Sequence, residues 1–155
     1  MNRLRRIARK AATVTILGMA AAGCDTPSDA EQLAGQYAMV RYRGRAVPAD
    51  LGPIPDRFGG TTGCRFIVAE GRLQLSGRTG VFTLETVHRE SCADRVISRS
   101  ELSGQYSAEG RTLSFLVPAA DGQHFRFTGR VHPDRIVLTM SAPASATSEV
   151  LEFAR

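Results

Sequence analysis

Apolar and polar residues alternate with a period of two through most of this chain. In Arg72-Leu73-Gln74-Leu75-Ser76 leucines face polar neighbours, and Val81-Phe82-Thr83-Leu84-Glu85-Thr86-Val87-His88 continues the pattern with β-branched residues interleaved. Phe125-Arg126-Phe127-Thr128, Ile136-Val137-Leu138-Thr139-Met140 and Leu151-Glu152-Phe153 repeat it. Each reads as a half-buried strand, one face to a core and one to water. Turn signals separate them: Gly77-Arg78-Thr79-Gly80, Ala108-Glu109-Gly110, Asp121-Gly122 and Pro133-Asp134. From residue 24 onward no stretch keeps a 3.6 period long enough for a full helix, and a short turn near Asp29 to Ala34 is the one exception. The pattern predicts an all-β fold, an antiparallel meander of about eight to nine strands closed into a small barrel, because closure removes the two edges a flat meander exposes.

The tetrapeptide Ala-Glu-Gly-Arg occurs at Ala69 to Arg72 and again at Ala108 to Arg111. Two equivalent hairpin turns would be the simple reading, but the cysteines oppose it. Cys64 and Cys92 lie symmetrically about position 78, the centre of the Gly77 to Gly80 turn. If residues 64 to 76 and 80 to 92 are paired long strands, the two thiols face each other at the hairpin's open end, within the ~7 Å between Cα atoms that a disulfide needs. Glu70-Gly71 is then a bulge or kink inside a strand, and Glu109-Gly110 a true turn. Gly44 to Gly63 holds Pro48, Pro53, Pro55 and Gly59-Gly60. It predicts a brief strand around Arg45 to Val47 followed by a long loop, either functional or a flap without a role.

The amino terminus changes the picture of charge and address. Arg3, Arg5, Arg6, Arg9 and Lys10 form a basic head, an apolar run spans Ala11 to Ala22, and Ala21-Ala22-Gly23 lead into Cys24. That is the order of a secretory signal with small residues before its cleavage point. The run of about twelve residues falls short of the ~20 that span a bilayer. With cysteine as the first mature residue, the segment resembles the lipobox of bacterial lipoproteins. The resemblance implies removal of residues 1–23, acylation of Cys24 and a membrane-held protein facing the periplasm. Asp25 leans toward inner-membrane retention under the enteric-type sorting rule, with the outer membrane left open.

Net charge follows the same cut. The whole chain carries 20 basic and 15 acidic residues, net +5. Five of the basic residues lie in 1–23 and no acidic one does, so the mature chain has fifteen of each. A neutral domain gives no reason to expect nucleic acid as a partner. An oxidising envelope favours a Cys64–Cys92 bridge over free thiols. No metal is expected, since His88, His124 and His132 show no ligand spacing with the cysteines.

Gly35-Gln36-Tyr37 stands where lipocalins carry Gly-x-Trp. Gly44-Arg45-Ala46-Val47-Pro48, Gly71-Arg72-Leu73-Gln74-Leu75, Gly80-Val81-Phe82-Thr83-Leu84, Gly104-Gln105-Tyr106-Ser107, Arg111-Thr112-Leu113-Ser114-Phe115 and Leu151 to Arg155 follow in the expected order. Together they resemble the small bacterial lipocalin-like β-barrel lipoproteins. The resemblance covers 35–155, leaves 24–34 as the lipid-anchored linker, and implies a lipocalin-like barrel.

Tyr37, Leu73, Leu75, Phe82, Leu84, Phe115, Phe127, Leu138 and Phe153 are the inward candidates. They either line a cavity for a small apolar or amphipathic molecule or simply fill the barrel. The competing function is an envelope protein-interaction module, such as a lysozyme-type inhibitor or assembly partner, presenting the Gly59 to Arg65 loop. An enzyme is least favoured, and no cofactor is expected. There is no nucleophile elbow and no paired carboxylate setting, and strand parity puts Glu85 and His88 on opposite faces.

Overall fold

A computed structural model of the chain describes residues 28–59, 62–119, 122–141 and 148–155. Residues 1–23, Cys24 and Asp25 lie outside the described residues, so the signal, the lipid site and the sorting signal belong to the sequence alone. Among the described residues one short helix, α1 (Asp29–Gln32), precedes ten strands: β1 (Gly35–Tyr42), β2 (Arg45–Ala46), β3 (Ala49–Pro53), β4 (Arg65–Ser76), β5 (Val81–Glu90), β6 (Val96–Glu109), β7 (Thr112–Pro118), β8 (His124–Val131), β9 (Ile136–Ser141) and β10 (Ser148–Ala154). They form one antiparallel sheet in the order β2-β1-β10-β9-β8-β7-β6-β5-β4-β3, and a further β1–β4 pairing closes it. Eight strands, β1 and β4 to β10, thus make a closed antiparallel barrel in which consecutive strands are neighbours, while β2 and β3 flank the seam.

The central hairpin follows the cysteine argument. β4 is one strand with a register shift between Val68 and Glu70, so the first Ala-Glu-Gly-Arg is a bulge. Cys64 and Cys92 are bridged with Cα atoms 5.6 Å apart. The second copy is a turn between β6 and β7, with Gly110 at φ 56°. Gly71 faces inward, where an added Cβ would come 2.5 Å from Met39 Cε. The same four residues fold two ways because their long-range neighbours differ.

One expectation is corrected. Beyond β2, the Gly44 to Gly63 segment is not a plain loop, because Ala49–Pro53 pairs with the first half of β4 and Asp56–Phe58 forms a 3-10 turn. Prolines are tolerated there because β3 is the last strand in the order and is paired on one side only.

The expected turn at Asp29 to Ala34 is α1. Ser28 Oγ accepts from Glu31 N, and Glu31 Oε2 accepts from Ser28 N at 2.9 Å, a reciprocal capping box. Ala30 and Leu33 pack against the barrel core, so residues 28–34 of the linker segment are part of the globule. Tyr106 Oη donates to Ala30 O (3.0 Å), Tyr37 Oη to Leu33 O (2.8 Å) and Gly110 N to Asp29 Oδ2 (2.8 Å). A Cβ on Gly77 would sit 2.5 Å from Glu31 Cα, so glycine lets the β4–β5 turn approach the helix. α1 therefore plugs one end of the barrel; the disulfide marks the other.

Candidate functional site

All nine inward candidates are buried and belong to one core cluster. Toward the closed end aromatic rings fill the interior. Phe115 and Phe127 stack at 4.6 Å between centroids, and Phe82 meets both edge-on at 4.9 and 5.7 Å. Rings at those separations leave no room for a guest between them. Each such side chain contributes ~1.5–3 kcal/mol of burial, so this half is the stabilising core.

The inner wall changes character toward the mouth. A cavity of about 170 Å³ opens there, lined by Tyr42 of β1, Leu84, Thr86 and His88 of β5, Ser100 and Leu102 of β6, Met140 of β9, and Glu149 and Leu151 of β10. Of the nine sequence candidates, Leu84 is the one that reaches it. The other eight, Tyr37, Leu73, Leu75, Phe82, Phe115, Phe127, Leu138 and Phe153, pack elsewhere in the core. Sequence reasoning overlooked Glu149, Thr86 and Ser100, although strand parity carried the signal. Glu149 shares its face with Leu151 and Phe153, Thr86 with Phe82 and Leu84, and Ser100 with Leu102 and Tyr106. A polar residue at an apolar parity position marks where the barrel stops being core.

The charges at the mouth are ordered. Glu149 lies on the cavity wall and pairs with the guanidinium of Arg43, which sits in the turn after β1. Arg43 also lies over the Tyr42 ring, 5.5 Å from its centroid. Burial, reinforced by Glu149, pushes the Tyr42 hydroxyl up to about 12. Burial pushes His88 below its ordinary value, with Glu149 opposing. The His88 ring stacks on Phe66 at 4.8 Å and 6°, and Phe66 stacks in turn on Phe58 at 5.2 Å. His88 Nδ1 is buried without a hydrogen-bond partner among the described residues. The site thus offers a carboxylate, a phenol, two hydroxyls and a neutral imidazole above an aliphatic floor of Leu84, Leu102 and Leu151.

Glu85 and His88 do lie on opposite faces: Glu85 is exposed and pairs in register with Arg72, whereas His88 lines the cavity. Glu90 is buried at the rim and bonded by Arg95 at 3.1 Å. Among the described residues no three His, Cys, Asp or Glu side chains converge as a metal site, and no helix is long and apolar enough to cross a membrane. A larger hollow of about 420 Å³ lies across β6, β7 and β8, but Gln105, Ser107, Ser114, Arg126 and Thr128 on its wall are exposed. It is a shallow groove on the outer wall, away from the mouth chemistry.

No protein-family profile and no curated protein matches the chain. Among solved structures, a mutant of the fluorescent protein UnaG overlays with TM-score 0.39 and 11% identity, covering 81% of this chain and 96% of that one. A fatty-acid-binding protein from Manduca sexta overlays with TM-score 0.39 and 13% identity, covering 79% and 98%. At this level of likeness nothing about ligands passes to the present chain. Its barrel is defined by its own strand order and closure.

Proposed function

We propose that this chain is a bacterial envelope lipoprotein, anchored through acylated Cys24, whose non-catalytic barrel binds a small amphipathic ligand at its mouth. The cavity of about 170 Å³ beneath Tyr42, His88 and Glu149 carries the reading. It joins an aliphatic floor to a few convergent polar groups, the composition of a small-molecule site. Its volume lies below the ~300–1,000 Å³ of sites that enclose drug-sized molecules, so the ligand inserts a head group or a short chain while its remainder stays at the rim. Arg43 offsets the charge of Glu149 on the wall, so the head group is chosen among cationic, neutral and anionic by the test below. The signal-like head, apolar run and Ala21-Ala22-Gly23-Cys24 order support the anchor.

Two experiments test the parts separately. Octylamine, octanol and octanoate, titrated calorimetrically into the full chain, should show saturable one-to-one binding for at least one of them. Leu102→Trp, which fills the cavity, should abolish it, while Val81→Trp on the outer wall should not. Binding that survives Leu102→Trp places the ligand elsewhere. Cys24→Ala should move the protein from the membrane to the soluble envelope fraction; a variant that stays with washed membranes rejects the lipid anchor.

A further inference from the structure

The plug at the closed end fixes how such an anchored barrel stands on its membrane. Ser28, the first described residue, caps α1, and α1 is held to the closed end on several sides. Gly110 in the β6–β7 turn donates to Asp29, Tyr106 donates to Ala30, and Gly77 in the β4–β5 turn packs against Glu31. Arg155 at the carboxyl end adds a bond to the Tyr37 hydroxyl at 3.1 Å. The anchored chain therefore leaves the globule from its floor.

Cys24 precedes Ser28 by four positions. Four residues span at most about 14 Å fully extended. The barrel is taller than that tether. β4 has 12 residues and β6 has 14, which at ~3.3 Å per residue and a tilt of ~40° give the wall beside α1 a height of about 30–35 Å. Turning the mouth toward the bilayer would lift Ser28 about 30 Å above the headgroups, roughly twice the reach of the chain.

From these lengths we infer that the closed end is the membrane-facing surface and that the mouth opens toward the aqueous envelope space. This rests on the lipid-anchor reading above. It implies that the cavity exchanges its ligand with the aqueous side or with a partner there, not with the bilayer that holds the protein. It also places the Cys64–Cys92 clip and the Phe58–Phe66–His88 stack at the membrane-distal end.

The lipidated full chain, reconstituted in phosphatidylethanolamine–phosphatidylglycerol vesicles carrying headgroup-rhodamine lipid, tests this. A donor dye is attached at Arg78→Cys in the closed-end turn or at Ala119→Cys after β7, both exposed positions, under conditions that keep the disulfide. Energy transfer to the membrane should be several-fold stronger from position 78 than from 119. Inserting about twenty Gly/Ser residues after Pro27 should erase most of that difference, since such a linker has a span of about 25 Å. Equal transfer from both positions in vesicle-bound native chain, or stronger transfer from 119, overturns the orientation while leaving the anchor intact. A chain that fails to float with vesicles overturns the anchor reading, and this inference with it.

Discussion

The same strands build two different ends. Near α1, β5, β7 and β8 turn Phe82, Phe115 and Phe127 inward and stack them into a solid core. Near the disulfide, β5, β6 and β10 turn Thr86, Ser100 and Glu149 inward around a cavity. Inward polar groups there forgo burial energy that an apolar side chain would supply, and a buried nitrogen without a partner costs further. A barrel under selection for stability alone would carry its aromatic filling to the rim. The difference between the ends is therefore the strongest sign of where function lies.

The largest expected effect separates them by stability. Phe115→Ala should cost ~3–5 kcal/mol, since it empties a ring-sized space among neighbours that cannot collapse into it. Thr86→Val at the mouth should change stability by less than about 1 kcal/mol while weakening ligand binding. Urea unfolding of the two variants makes the comparison. If both lose the same amount, the two ends are packed alike and the mouth is as much core as the closed end.

Next comes the clip at the mouth. The disulfide closes a separation of 28 residues, and the chain-entropy relation assigns such a loop about 3.6 kcal/mol. Cys64→Ser with Cys92→Ser should lose about that much in urea unfolding, and hydrogen exchange should accelerate first at the rim ends of β4 and β5. Faster exchange at the α1 end instead would place the weak point in the wrong half.

The two ends were also unequally legible. Closed-end residues announce themselves by period-two alternation, so Leu73, Leu75, Phe82, Phe127 and Leu138 could be assigned inward from the sequence. The cysteine symmetry about position 78 matches the pairing of the first part of β4, where Phe66 faces Glu90, while past the bulge the register is shifted by one and Leu75 faces Phe82. The mouth hides because its inner face is partly polar. After Val96-Ile97, the first half of β6 reads Ser98-Arg99-Ser100-Glu101, polar on both faces, because its inner face borders a cavity and not a core. β3 hides behind Gly52 and Pro53, which an edge strand accommodates. Ala-Glu-Gly-Arg reads identically at its two sites, because bulge or turn is decided by partners far away in the chain. Long-range pairing and a polar interior are what a local pattern leaves unspecified.

A smaller effect tests the plug. Ser28→Ala removes one arm of the capping box and Tyr106→Phe removes the bond to Ala30; each should cost about 1 kcal/mol. Both should loosen α1 in hydrogen exchange without altering ligand affinity at the opposite end. Loss of affinity in either variant would mean that the two ends are coupled through the core.

The smallest effect concerns protons at His88. Its folded value lies below the ordinary 6.5 because burial outweighs the pull of Glu149. As pH falls through 6.5 the unfolded chain takes up a proton that the folded chain refuses, so acidification favours unfolding. The contribution is intact above 6.5 and is lost as pH falls through the folded value, with a slope below about 1.4 kcal/mol per pH unit. His88→Gln removes this slope and leaves the other titrating groups in place. The stability of the native chain relative to the variant should therefore decline between pH 7 and pH 5, measured as the shift between their urea midpoints. If the native chain instead gains on the variant over that range, the attraction of Glu149 exceeds the cost of burial. The mouth would then be wetter and more strongly charged than its packing against Phe66 implies, and a cationic imidazolium would replace the neutral ring in the account of what the cavity can bind.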